Sequence, residues 1–157
     1  MIALTPARAD DIDELIAFLS AADLTLSGLG SPGVFVWIAR DAVRGKIYAS
    51  AGFELDESGT HVLIRSVAVG SNHRASGIGL EIAGFALDRA AELGAARAWL
   101  FSRRSGPFWQ KLGFEPAGRD DLAAALGATS QVQQFRRTGQ LQREVAWTRA
   151  LRATGTR

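Results

Sequence analysis

The sequence predicts a mixed α/β fold, one sheet with helices on both faces. Three observations carry this. Three short β-branched and aromatic runs follow one another across residues 34–70, with only brief turns between them. Stretches with helical apolar spacing stand on either side of that block, so helices alternate with strands elsewhere. A chain of 157 residues with 47% hydrophobic and 22% charged content suits one domain, 1–157, with one sizeable core.

The elements follow in order. "MIALTPA" reads as a short first strand. In "DDIDELIAFLSAAD", Ile12, Leu15, Ile16 and Leu19 recur at i, i+3, i+4 and i+7, so they share one face of a helix, with Asp10 or Asp11 as its N-cap. "LTLSGLGSPG" is a loop by its Gly, Ser and Pro content, and a short apolar lid in the segment 22–33 is expected. Strands over 34–41, 47–56 and 61–70, joined by "VRGK" and "ESGT", form an antiparallel meander. A long helix over about 77–93 stops at Gly94, and "ARAWLFS" (96–102) is the next strand. Ser105 is positioned to cap a short helix, "GPFWQKL", which Gly113 ends. "FEPAG" resumes extended structure. In 119–138, "DDLAAAL" suits a short helix and "SQVQQFRR" a second, and "REVAWTRAL" returns as the last strand. The core order is β-α-β-β-β-α-β-α-β.

Composition narrows the function. There is no cysteine, which excludes disulfides, thiolate metal sites and a cysteine nucleophile. Two histidines, His61 and His73, leave little for a zinc site, so no metal is expected. The net charge is +2 and the arginines are spread along the chain, which is not a nucleic-acid footprint. No apolar run is long enough to span a membrane, and the acidic early N-terminus is unlike a signal peptide, so a cytoplasmic protein is expected.

Chemistry concentrates in "HRASGIGLEIAGFALDRAAELG" (73–94). Its glycines stand at the mouth of a helix, with His73 and Arg74 beside them. A helix N-terminus presents unpaired N–H groups and partial positive charge, and glycine lets a ligand approach the backbone. This is the makeup of an anion seat. A sharp turn needed only for packing is the competing reading. A Walker loop is excluded because no lysine lies nearby, and a dinucleotide fingerprint because its third glycine position is Ile82.

Arg74-x-x-Gly77-x-Gly79 after the strand ending "SVAV", followed about thirty residues later by "PFWQKLGFEP", resembles the GNAT N-acetyltransferase superfamily. The resemblance implies a mostly antiparallel sheet with splayed central strands and helices on both faces. It implies acetyl transfer from acetyl-CoA to a small-molecule amine by direct attack in a ternary complex, with a homodimer allowed. The cofactor contacts implied are backbone groups of Val67 and Val69, and the loop Arg74, Ala75, Ser76, Gly77, Ile78 and Gly79. Pantetheine would fill the gap between splayed strands like a missing strand, and an N–H near Val67 would polarise the acetyl carbonyl.

Glu54, the one acid well inside the middle strand, is the expected base for the amine proton, against a solvent-facing strand-end carboxylate. Arg65 and Ser66 are expected at the substrate. Arg65 would bind an anionic substrate group or pair with Glu54 or Asp56 across the hairpin. The position where many relatives carry a thiolate-protonating tyrosine is Trp109 here. Arg103 and Arg104 either reach the cofactor phosphates or are solvated. "GFELDESGTHVLIRSVAV" and "ATSQVQQFRR" are similar to the N-acetyltransferases found with arsenic-resistance genes, themselves related to enzymes acetylating glutamate-like toxins such as phosphinothricin. That similarity implies an acidic amino-acid-like substrate. An α-amine, pKa about 8, is also freed at neutral pH for about 3 kcal/mol less than lysine, pKa about 10.4. A protein N-terminal or lysine acetyltransferase and a non-catalytic acetyl-CoA-binding module are the alternatives.

Overall fold

The structure is a computed structural model that describes residues 2–74 and 77–151. Seven strands make one sheet: β1 (Thr5–Pro6), β2 (Val34–Arg40), β3 (Ile47–Leu55), β4 (His61–Val69), β5 (Arg97–Phe101), β6 (Glu115–Ala117) and β7 (Ala146–Ala150). Their order across the sheet is β1-β2-β3-β4-β5-β7-β6, and only β4 and β5 run parallel. The helices are α1 (Ile12–Ala21), α2 (Ile78–Glu92), α3 (Gly106–Lys111), α4 (Arg119–Ala125) and α5 (Ser130–Thr138). The expected architecture is therefore present, with a first strand of only two residues and two helices across 119–138.

Side-chain alternation along the strands sends their residues to the two faces of the sheet, where three clusters cover them. Ala49, Ala51 and Phe53 of β3, Val62 and Ile64 of β4, and Ala98 and Leu100 of β5 pack under Ile82, Ala83, Ala86, Leu87 and Ala90 of α2, joined by Trp109 of α3. On the opposite face Leu63 and Trp99 pack under Leu122 and Leu126 of α4 and its loop, and Val132 and Phe135 of α5. Leu15 and Leu19 of α1 cover Val36, Ile38, Ile47 and Ala68. Each fully buried leucine or phenylalanine contributes about 1.5–3 kcal/mol, so both faces of the sheet must be covered.

Two features at the centre of the sheet position the site. First, β4 pairs with β5 only through His61↔Arg97, Val62↔Ala98 and Leu63↔Trp99. Beyond them the described residues 64–69 pair only with β3, and Leu100 and Phe101 only with β7. The parallel pair thus opens toward the C-terminal ends of its strands. Second, the β3–β4 register shifts between Ser50↔Ala68 and Gly52↔Arg65, so Ser66 and Val67 together oppose Ala51. Ser66, within this bulge, takes φ 60°, a left-handed conformation uncommon for a non-glycine residue. Gly52 is required here for a different reason: a Cβ would lie 2.3 Å from the Phe35 carbonyl oxygen on β2.

The helix caps differ from expectation in detail. Asp11 precedes α1, but its carboxylate accepts from the Arg8 N–H at 2.8 Å and pairs with Arg40 at 2.7 Å. Ser105 occupies the cap position of α3 without a side-chain cap bond; instead its own N–H donates to the Ser102 hydroxyl at 3.0 Å.

Candidate active site

The opening between β4 and β5 leads to the N-terminus of α2. Gly77 caps that helix at φ 82°, ψ −3°, a left-handed conformation in which a Cβ would meet no other atom but would strain the backbone. Gly79 answers the packing reading: a Cβ there would lie 3.2 Å from the Phe108 ring of α3. The two glycines therefore serve different ends, one the turn and one the close approach of α3. Ala75 and Ser76, also expected in this loop, lie outside the described residues. Ile78 opens α2 and packs against the α2-side core, as do the half-buried side chains of Val67 and Val69. Their backbones remain unpaired on the β5 side. The exposed Arg74 guanidinium donates to the Val69 carbonyl at 3.1 Å, tying the loop to the end of β4. Glu81, in the first turn of α2, is taken up by the Ile2 N–H at 2.6 Å.

Glu54 and Arg65 lie on the opposite face of the sheet and meet each other. Arg65 Nη1 donates to Glu54 Oε1 at 3.2 Å, and the two side chains are 0% and 6% exposed. The Ser130 N–H donates to Glu54 Oε2 at 2.6 Å and the Gln131 N–H to Oε1 at 3.3 Å, so Glu54 also holds the first turn of α5. Arg65 Nε reaches the buried Ser66 hydroxyl at 3.3 Å, while Nη2 has no partner. Burial pulls the Arg65 guanidinium below the usual arginine value, and the Glu54 charge opposes that shift. Of the two readings for Arg65, the cross-hairpin pair is the one this geometry contains. Trp109 is buried, edge-on to Phe108 and Phe114, as a packing residue.

Beside the open end of β5 lies a cavity of about 520 Å³. Its walls are the loop Ala22–Leu26, the segment Phe101–Ser105, residues Gln131, Gln134 and Phe135 of α5, and Gln140 and Glu144 before β7. The loop is fastened over it by the Thr25 hydroxyl, which donates to Gln134 Oε1 at 2.9 Å. Arg104 pairs with Asp23 at 3.3 Å and Arg103 with Glu144 at 3.4 Å. Glu144 is only 6% exposed, and its Oε2 also accepts from Gln140 Nε2 at 2.8 Å. Sequence reasoning missed Gln131, Gln134, Gln140 and Glu144. Gln131 and Gln134 fall in the segment read as a helix and Glu144 in the one read as a strand, while Gln140 lies between the two; no spacing sets the four apart.

A half-open parallel pair, a bulge beside it, a left-handed glycine at a helix mouth and a cavity stand at the C-terminal ends of β4 and β5. The family described as "Acetyltransferase (GNAT) family" matches residues 6–114. The chain belongs to the GNAT family. No curated protein matches it significantly in sequence. Among solved structures it is similar to a GNAT acetyltransferase from Staphylococcus aureus Mu50, with TM-score 0.72, 16% identity, and 97% of this chain and 100% of that one covered. It is also similar to N-acetylglutamate synthase from Neisseria gonorrhoeae complexed with coenzyme A and N-acetyl-glutamate, with TM-score 0.73, 16% identity and 97% of this chain covered. The chain spans only 35% of that synthase. A third likeness is to an aminoglycoside 6'-N-acetyltransferase complexed with coenzyme A, with TM-score 0.70, 11% identity, and 99% and 100% coverage. At these identities the likeness is one of fold.

Proposed function

We propose that residues 1–157 act as one GNAT domain that moves the acetyl group of acetyl-CoA to the amine of a small molecule by direct attack. The observation that carries this is the ending of the β4–β5 ladder at Leu63↔Trp99 while both strands run on. Exposed strand edges recruit extended ligands through main-chain hydrogen bonds, and the pantetheine arm is such a ligand. Residues 65–69 would bind the arm, with Val67 and Val69 as the contacts and the bulge at Ser66 aiming an N–H at the acetyl oxygen. The loop Arg74–Gly79 would take the pyrophosphate at the N-terminus of α2. The acceptor amine would occupy the cavity, which shares Phe101 and Ser102 with the β5 side of the gap. Its strapped loop favours an amino-acid-sized acceptor over a peptide.

Glu54 and Arg65 are proposed as positioning residues. All the donors around Glu54 come from Arg65 and the first turn of α5, and neither residue lines the cavity. An acidic amino-acid-like acceptor was the finer expectation, implied by the similarity to the arsenic-resistance-associated enzymes and fitted there to Arg65. With that guanidinium turned to Glu54, the acidic preference has no support from this residue. The reading is tested by release of free thiol from acetyl-CoA across a panel of amino acids, amino-acid amides, polyamines and N-terminal peptides. Small amines are expected to give turnover. Turnover of peptides alone would contradict the acceptor class, and acetyl-CoA binding with no turnover would leave a binding module.

A further inference from the structure

The reaction needs a group that accepts a proton from the acceptor, because an ammonium nitrogen has no lone pair with which to attack. Two carboxylates line the cavity beside the open strand ends, Asp23 and Glu144. Asp23 is 82% exposed and its partner Arg104 is 76% exposed, so that pair lies in solvent. Glu144 is 6% exposed. Its backbone is held by an N–H bond to the Leu141 carbonyl at 3.2 Å. Its Oε2 is fixed by Gln140 Nε2 at 2.8 Å and lies 3.4 Å from Arg103 Nε. Among the described residues nothing donates to Oε1. Glu144 also sits two residues before Ala146, which pairs with Phe101, and the Ser102 N–H donates to the Val145 carbonyl at 2.9 Å. This backbone pairing places Glu144 beside the end of β5, where the gap opens. The contrast with Glu54 is direct: both oxygens of that buried carboxylate are occupied, and it lies outside the cavity lining.

We propose that Glu144 is the residue that receives the acceptor amine, its Oε1 binding the ammonium in the cavity and taking the proton that must leave before attack. The inference rests on the acetyl-transfer reading above. One ammonium proton passes to Glu144, the freed nitrogen forms its bond to the acetyl carbonyl carbon, and the C–S bond breaks. The second nitrogen proton goes to the departing thiolate, giving free thiol, and Glu144 returns its proton to solvent. Gln140 and Arg103 keep the carboxylate oriented throughout. The charged groups facing Glu144 are Arg103 directly and the Arg104–Asp23 pair across the cavity.

The test compares wild type, Glu144→Gln and Glu144→Asp, using the panel amine that turns over best with wild type. Glutamine keeps the shape and the Gln140 contact but cannot take the proton. Thiol release by Glu144→Gln should fall about 10²–10⁴-fold near neutral pH, the range for a positioned base. The deficit should close as pH rises past the amine's own pKa, about 8 for an α-amine, where no proton remains to be removed. Binding of that amine to the coenzyme A-bound protein, read by calorimetry, should weaken roughly 10-fold, within the range for hydrogen bonds to charged groups. Acetyl-CoA binding should not change. A deficit equal at every pH, or none, overturns the proposal, as does unchanged amine binding. If Glu144→Gln does not fold, Glu144→Asp decides: a shorter carboxylate should be slower with the same pH profile as wild type. A wild-type protein that binds acetyl-CoA yet acetylates none of the amines overturns the acetyl-transfer reading and this inference together, whereas an active Glu144→Gln overturns this inference alone.

Discussion

At the scale of single residues, Glu54 and Arg65 form a buried ion pair across the β3–β4 hairpin. Polar residues inside apolar strands demand partners, and the cross-hairpin pair was one of the two readings open for Arg65. The Ser130 and Gln131 N–H groups were not legible, because they reach Glu54 from 76 and 77 residues away. Removing one member of this buried pair leaves the other charge unpaired. Arg65→Leu should therefore destabilise by about 3–5 kcal/mol, or roughly 6–20 °C in Tm at this chain length. Thermal unfolding should show Glu54→Leu/Arg65→Leu recovering part of that loss; a double variant worse than the sum of the singles would contradict the account. Gly77 belongs to the same scale. A Cβ there meets no atom, so Gly77→Val acts through its backbone, at about 1–3 kcal/mol of strain. Calorimetry should show acetyl-CoA affinity lost while the far-UV spectrum is kept.

At the scale of elements, periodicity placed every helix and strand of the central block, because apolar spacing directly reports which face is buried. The segment 119–138 was harder for a physical reason. Gln131 and Gln134 are polar cavity walls, so α5 lacks a clean apolar stripe, and only Val132 and Phe135 reach the core. The Ser66 bulge was invisible because serine carries no preference for φ 60°. Ser66→Val should flatten it, since a β-branched residue resists that conformation. Acetyl-CoA affinity should fall in calorimetry, and an unchanged affinity would separate the bulge from cofactor binding. The tie between α1 and the sheet is electrostatic at its edge. The Ile47 N–H and Arg40 hold Glu14 below its ordinary carboxyl value, and the Arg8 N–H and Arg40 do the same for Asp11. A folded pKa below the unfolded one stabilises above the unfolded value and ceases to do so as pH falls through the folded one. Tm should thus decline below about pH 4.5, and Glu14→Gln should show a shallower decline. Equal slopes for wild type and variant would remove Glu14 from the acid response.

At the scale of the whole molecule, the sheet is incomplete at its centre. Both faces are covered by helices, yet its one parallel pair is joined for three residues and then opens between the α2 N-terminus and the cavity under α5. The glycine loop and the alternating strands were legible in the sequence. The cavity was not, since it joins segments near residues 24, 103, 131 and 144 that no local pattern relates. Ligand binding should stabilise the folded state by about 2.7 kcal/mol at one hundred times Kd, so Tm should rise with acetyl-CoA concentration. The central claim, that the open edge of β4 holds the cofactor arm, is tested most directly by amide hydrogen exchange with and without acetyl-CoA. Exchange across residues 65–69 should slow on saturation, Val67 and Val69 included, while amides of β2 and β3 keep their rates. Saturation confirmed by calorimetry with no slowing at 65–69 would contradict the account.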